Sequence, residues 1–140
     1  MERESAMSYD EQAKKHFETG TTLLLQGFYQ SACEEFQKAL AIDPTYVNAH
    51  FNWGNTLYAQ GKYAVAIQRY EQCIKIDTDF AYACHNIANC HWTQGDYKEG
   101  RKDWEKACQV YERTKEKEKA EGNAIFFNTT ASCSTRFLGT

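Results

Sequence analysis

The chain has 140 residues, a net charge of −3 and 25% charged residues. Its length fits one folded unit, and the absence of a basic stripe removes the electrostatic footprint of a nucleic-acid-binding protein. The longest purely aliphatic run is Leu23-Leu24-Leu25, and the charged N-terminus lacks the apolar segment of a secretory signal. We therefore expect a cytoplasmic protein with no nucleic-acid ligand and no membrane partner.

Cysteine usage agrees with that location. The six cysteines, at positions 33, 73, 84, 90, 108 and 133, include no CxxC pair. Because disulfides form mainly in secreted proteins, we expect reduced thiols.

The first predicted helix begins at Ser8, where Glu11 completes the spacing of a capping box. It continues until Gly27 breaks it. A second helix is predicted from about residue 29 to 42 and ends before Pro44, because proline disfavours helix in the residue that precedes it. The same order of helix, turn and helix is predicted from about 45 to 76, and again from about 78 onward.

A unit of about 34 residues therefore occurs three times. Its glycine and tyrosine markers are Gly27, Gly61 and Gly95, followed by Tyr29, Tyr63 and Tyr97. Small residues recur where paired helices should touch, at Gly20, Gly54 and Ala88 and at Ala32, Ala66 and Gly100. Aromatic residues, expected to fill the space between successive pairs, recur at Phe36, Tyr70 and Trp104. Each helix pair leaves one apolar face bare and must stack on a neighbour.

These positions resemble the tetratricopeptide repeat (TPR), with repeats at 13–46, 47–80 and 81–114. The third repeat departs most, with His91, Gly100 and Glu112 in place of leucine, alanine and proline. The resemblance implies an all-α, right-handed superhelical solenoid of three TPR helix-turn-helix repeats. In that family the first helix of each repeat lines a concave surface.

The last helix has no proline to stop it, because Glu112 stands at that position. We expect it to continue through residues 115–121, as an extended C-terminal helix, and to stop at Gly122-Asn123. The TPR domain then covers 1–122. Residues 123–140 are expected to form a flexible tail; the alternative is that Phe126 or Phe127 caps the last helix pair.

The resemblance also implies which side chains line the concave surface. We single out as peptide-binding candidates those with amide, aromatic or charged groups: Lys14, Glu18, Asn48, Phe51, Asn52, Asn55, Tyr58, Tyr82, His85, Asn86, Asn89 and Trp92. An asparagine carboxamide carries both donors and an acceptor, so it can hold the C=O and the N–H of an extended peptide. We hypothesise that the asparagines at the sixth and ninth repeat positions bind a peptide main chain while the aromatics select its side chains. Alternatively, they are polar residues on a solvated helix face.

One subclass of the family, which binds chaperones, clamps an acidic C-terminal carboxylate with five residues from three repeats. Lys14 and Asn52 match that clamp. Glu18, Tyr82 and Asn86 stand where it needs asparagine, lysine and arginine. Because Glu18 would repel a carboxylate, we do not expect chaperone tails to bind in this register.

Metal-binding and catalytic motifs are weak or missing. Cys84 and His91 lie two turns apart, but each occupies a packing position of the repeat, and neither CxxC nor HExxH occurs. No GxGxxG, GxxxxGK[ST] or GxSxG motif is present, and the adjacent Cys84 and His85 point in different directions on a helix. We expect no metal, no cofactor and no catalytic activity.

The sequence therefore predicts a protein-interaction module, or adaptor, that binds an extended peptide or partner segment in its concave groove. Two alternatives remain open. One is a self-assembling element that forms a homo-oligomer through the solenoid ends. The other is the recruiting or regulatory subunit of an enzyme encoded elsewhere.

Overall fold

The computed structural model describes the backbone of residues 6–120 and the side chains of residues 6–117. This part of the chain forms helices without strands: α1 (Tyr9–Gln26), α2 (Tyr29–Ile42), α3 (Val47–Ala59), α4 (Tyr63–Ile76), α5 (Ala81–Thr93) and α6 (Tyr97–Ala120). The closest packing is within the pairs α1–α2, α3–α4 and α5–α6, and the contacts of α2 with α3 and of α4 with α5 stack the pairs. The predicted all-α helical repeat solenoid is confirmed.

The first helix begins after Ser8, as predicted, and the three predicted turn glycines have positive φ angles. Ser8 Oγ accepts the Glu11 N–H at 3.2 Å, and Glu11 Oε2 accepts the Ser8 N–H at 3.1 Å, which completes the capping box. The turn glycines Gly27, Gly61 and Gly95 have φ of 85°, 77° and 86°. Other residues adopt this left-handed conformation only with strain, which explains why glycine recurs there.

α3 and α5 begin two and three residues later than the sequence predicts. Aspartate side chains hold the preceding linkers in turns: Asp43 Oδ1 accepts the Thr45 N–H and Asp77 Oδ1 accepts the Asp79 N–H, each at 3.0 Å. Such turns satisfy backbone donors outside the helix and so delay its start.

The repeated aromatic residues Phe36 and Tyr70 each pack against the other helix of their own pair. A Cβ atom at Gly20 would lie 2.7 Å from Phe36 Cε1, and one at Gly54 would lie 2.6 Å from Tyr70 Cε1. Tyr70 also joins a buried cluster with Ile87 of α5. These rings thus fill the space inside a pair as well as the space between successive pairs.

The departure of the third repeat at Gly100 has a packing explanation. A Cβ atom at Gly100 would collide with the indole ring of Trp92. The first two repeats have Ala32 and Ala66 at this position, both fully buried. Glycine in place of alanine at position 100 therefore makes room for the indole ring of Trp92.

α6 continues past the repeat boundary at residue 114, as predicted, and has 24 residues where α4 has 14. Arg113 ties it to the linker before α5, since its Nη2 donates to Asp79 Oδ1 at 2.7 Å and to the Thr78 carbonyl at 3.2 Å. Neither α6 nor any other helix within residues 6–120 has the length and apolarity needed to cross a membrane. The predicted stop at 122–123, the boundary at 122, the tail 123–140 and the proposed aromatic cap lie outside the described residues.

The cysteines are mostly buried thiols. Cys33, Cys73, Cys84 and Cys90 are free and buried. Burial raises the pKa of all four thiols, and that of Cys73 and Cys90 to about 12, so they act as small apolar fillers. Cys108 is disulfide-bonded. The expectation that all six cysteines are reduced is wrong for that residue.

Candidate functional site

Four half-buried asparagines lie on the first helices of the second and third repeats, and we call them the inner asparagines: Asn52 and Asn55 on α3, Asn86 and Asn89 on α5. Asn52 Nδ2 donates to Thr21 Oγ1 of α1 at 3.0 Å. Asn86 Nδ2 donates to Asn55 Oδ1 at 2.9 Å. The first helices of successive repeats are therefore joined by side-chain hydrogen bonds, and they form one continuous surface.

Asn55 lies at the centre of this network. Its Nδ2 reaches Asn52 Oδ1 at 3.4 Å, and its Oδ1 also accepts the Tyr70 hydroxyl at 2.7 Å. Burial raises the pKa of Tyr70, so the hydroxyl keeps its proton and remains a donor. Much of the hydrogen-bonding capacity that we assigned to a bound peptide is thus used to join helices.

This structural role was missed by reasoning from the sequence. In both junctions the sixth residue of one repeat donates to the ninth residue of the repeat before it, 31 positions earlier. A search for polar pairs at that separation, in addition to the 34-residue period, would have indicated the contact. Peptide binding by the inner asparagines stays a prediction.

Asn89 differs from the other inner asparagines. Its side chain makes no hydrogen bond with any residue that the structure describes, and it is half-buried. It is the ninth residue of the third repeat, the position at which Thr21 and Asn55 accept a bond from the following repeat. No further repeat follows within residues 6–120, so its donors and acceptor are uncommitted.

The aromatic candidates divide into supporting and exposed rings. Phe51 is half-buried, with its ring centroid 5.8 Å from that of Tyr70 and 5.1 Å from that of Phe80. Tyr82 is 63% exposed, with Phe51 at 6.4 Å and Tyr111 at 6.0 Å beside it. Tyr82 therefore offers a ring face that other rings hold in place.

The remaining candidates contribute in different ways. The Tyr58 hydroxyl lies 3.0 Å from Thr93 Oγ1 and so joins α3 to α5. The His85 ring packs edge-on against Trp104 of α6, at 4.6 Å between centroids. Trp92 is half-buried, 5.8 Å from Trp104. Trp92 is thus a partly exposed residue of α5 that packs against α6.

Charge is confined to one end of this surface. Lys14 and Glu18 are exposed on α1, and Asn48 is exposed on α3. The sequences of α3 and α5 contain no aspartate, glutamate, lysine or arginine. The surface is therefore uncharged across its second and third repeats.

The histidines outside this surface have structural partners. His91 Nδ1 lies 2.6 Å from Asp103 Oδ2, and His16 Nδ1 lies 2.9 Å from Glu35 Oε1, each pair joining the two helices of one repeat. No group of three or more metal-ligating side chains occurs in the described part of the chain. Cys84, the other metal candidate, is 3% exposed.

A second depression, of about 690 Å³, lies between α4 and α6 over α5. Ile67, Ile74 and Ile87 contribute apolar surface to it, and its charged lining residues balance: Arg69, Lys75 and Lys106 against Glu71, Glu99 and Asp103. The Arg69 guanidinium stacks on Trp53 at 4.5 Å. Equal numbers of opposite charges favour no particular ion.

Family models assign this architecture. Residues 20–61 and 54–95 match the model described as TPR repeat, and residues 81–114 match the model described as tetratricopeptide repeat. The chain belongs to the tetratricopeptide repeat family, as its sequence resemblance predicts. No curated protein matches it.

Solved structures share the fold at low sequence identity. A crystal structure of MamA has a TM-score of 0.73 at 24% identity and covers 78% of this chain and 63% of its own. The second TPR of Spaghetti (RPAP3), bound to the HSP90 peptide SRMEEVD, has a TM-score of 0.67 at 21% identity, covering 72% and 94%.

The type III secretion translocator chaperone SycD of Yersinia enterocolitica has a TM-score of 0.73 at 16% identity, covering 91% and 89%. This chain spans 63% and 60% of the length of two MamA chains that it resembles. At these identities the likeness concerns the fold.

Proposed function

We propose that this protein is a non-catalytic interaction module that binds an extended peptide or partner segment in the groove formed by α1, α3 and α5. The observation that carries the proposal is the lateral joining of these three helices by the Asn52–Thr21 and Asn86–Asn55 hydrogen bonds. Joined helices make a rigid surface, and a rigid surface binds with little loss of conformational entropy.

The chemistry of this surface supports the same function. Tyr82 supplies an exposed aromatic ring, and Asn89 supplies an uncommitted donor and acceptor. Interfaces gain most of their binding energy from a few such groups. Spaghetti (RPAP3) in its peptide-bound form has this fold.

The groove differs from a carboxylate clamp. Glu18, Tyr82 and Asn86 occupy positions where such a clamp needs asparagine, lysine and arginine. Glu18 is exposed on α1, where its charge repels a carboxylate. We infer that the bound segment is held through its main chain and apolar side chains.

The test uses two variants that each add two arginines to exposed positions. One blocks the groove, with Asn48→Arg and Ala59→Arg on α3, exposed residues at the second and thirteenth repeat positions that the family resemblance assigns to the concave surface. The other, with Ala64→Arg and Gln68→Arg on α4, leaves the groove open and serves as the control. Peptides of about 12 residues, selected on the wild-type chain from a phage-displayed library, are titrated against both variants. Such a peptide spans about 40 Å when extended at about 3.3 Å per residue.

We expect the groove variant to lose affinity at least about tenfold, a change of about 1.4 kcal/mol, while the control binds like the wild type. Circular dichroism of each variant checks that the helices remain. Equal binding by both variants would show that the groove is not the binding surface.

A further inference from the structure

Free hydrogen-bonding capacity and exposed aromatic surface meet on the third repeat. We propose that the bound segment docks along α5, over Tyr82, Asn89 and Trp92, and that it is a short uncharged stretch with an apolar side chain at each end. This inference rests on the proposed function and names the part of the groove and the class of segment.

The polar contact is assigned by the pattern of the repeats. Thr21 and Asn55, at the ninth position, each accept a hydrogen bond from the next repeat. Asn89 holds the same position and has no side-chain partner within the described residues. Because a carboxamide both donates and accepts, Asn89 can pair with the N–H and the C=O of one residue of an extended chain.

Helix geometry sets the length of the segment. Tyr82, Asn89 and Trp92 are seven and three residues apart, so they lie along one side of α5. Ten residues of helix rise about 15 Å, which about four or five residues of extended chain span at roughly 3.3 Å each. The segment thus places its main chain on Asn89 and its end side chains near the two rings.

Both rings are held in position before binding. Phe51, Phe80 and Tyr111 surround Tyr82, with centroid distances of 6.4, 6.2 and 6.0 Å. Trp92 lies against the bare backbone at Gly100. Immobilised aromatic side chains bury large areas at low entropic cost.

The absence of charge on α3 and α5 selects against charged segments. Neither helix contains aspartate, glutamate, lysine or arginine. A charged segment would be desolvated in this part of the groove without gaining an opposite charge. An uncharged segment avoids that cost, and its binding should be insensitive to salt.

The experiment compares single alanine variants of the full chain, with a displayed library of 12-residue peptides as the probe. Asn89→Ala and Tyr82→Ala remove the proposed contacts, and Gln68→Ala is the control because Gln68 is an exposed carboxamide on α4, outside the groove. For the peptide that binds the wild type most tightly, we expect Asn89→Ala to weaken binding about three- to tenfold and Tyr82→Ala about tenfold or more. Gln68→Ala should change it less than about twofold, because Gln68 lies on α4, away from the proposed contacts.

Salt and selected sequence give a second readout. Affinity should change less than about twofold between 50 and 500 mM NaCl, because no charge pair forms across the contact. The selected peptides should share an uncharged core with two apolar residues four or five positions apart. A consensus rich in acidic or basic residues, or a steep loss of affinity with salt, would overturn the inference.

The outcomes separate this inference from the proposed function. If Asn48→Arg with Ala59→Arg abolishes binding while Asn89→Ala and Tyr82→Ala have no effect, the groove binds peptide and the third-repeat site is wrong. If no peptide binds at all, both fail. A third outcome is that Asn89→Ala leaves peptide affinity unchanged but changes Tm or the molar mass measured by light scattering. Asn89 would then contact the chain's own residues or a second copy of the chain, and the inference would be wrong.

Discussion

Asn55 joins three helices through one carbonyl oxygen, and its removal should therefore destabilise the solenoid. Its Oδ1 accepts the Tyr70 hydroxyl of α4 at 2.7 Å and Asn86 Nδ2 of α5 at 2.9 Å. In Asn55→Ala both donors lose this acceptor. Tyr70 is 1% exposed, so water does not replace it without opening the core.

The size of the effect follows from these two bonds. A buried hydroxyl left without a partner costs about 1–3 kcal/mol, and the lost amide–amide bond about 0.5–1.5 kcal/mol. We expect Asn55→Ala to lower the free energy of unfolding by about 2–4 kcal/mol. At about 3 °C per kcal/mol for a chain of this length, Tm should fall by about 6–12 °C.

Urea unfolding followed by circular dichroism measures this change, with Asn48→Ala as the control. That variant makes the same substitution at an exposed position of α3 and should stay within about 0.5 kcal/mol of the wild type. A double-mutant cycle with Tyr70→Phe should give a coupling energy of about 1–2 kcal/mol, because Tyr70→Phe removes the orphaned hydroxyl. The reasoning fails if Asn55→Ala is as stable as the control or if the cycle shows no coupling.

Two further predictions concern pH and peptide specificity. Burial lowers the pKa of His50, whose Nε2 lies 3.0 Å from the Pro44 carbonyl and whose buried Nδ1 has no partner in the described structure. Below about pH 6.5 the unfolded chain then binds more protons than the folded chain, so the free energy of unfolding should fall as pH drops. In His50→Gln the free energy of unfolding should depend less on pH. An equal pH dependence of the two proteins in urea titrations would contradict this prediction. The peptide SRMEEVD should show no saturable binding to the wild type up to about 1 mM in calorimetry. The triple variant with Glu18→Asn, Tyr82→Lys and Asn86→Arg should bind this peptide, because the three changes complete the carboxylate clamp. Saturable binding by the wild type would argue against the uncharged groove.

The helices and turns were predictable because their causes are local. The capping box involves Ser8 and Glu11, which are three residues apart. Gly27 has a φ of 85°, which most other residues adopt only with strain. The 34-residue period identified the solenoid because a helix pair with a bare apolar face must stack on another pair. The late starts of α3 and α5 were missed since aspartate turns compete with the first helical turn.

The hydrogen bonds of the candidate surface were not predictable from the sequence. The family resemblance indicated which positions to consider as peptide-binding candidates, including Tyr82 and Asn89, and their role in binding stays a prediction. It did not indicate that Asn52, Asn55 and Asn86 are engaged with neighbouring helices. A carboxamide in a sequence has the same donors and acceptor whether it faces a ligand or another side chain.

What separates these two roles is the placement of one helix pair on the next. The sequence alone determined the helices, their period and the family, because those depend on residues within one repeat. Tyr70 packs against Gly54 within its own pair and shares a buried cluster with Ile87 of the next pair. The stacking of the pairs brings the sixth residue of one repeat to the ninth residue of the repeat before it. Asn89 has no such partner, because no further repeat follows within the described residues.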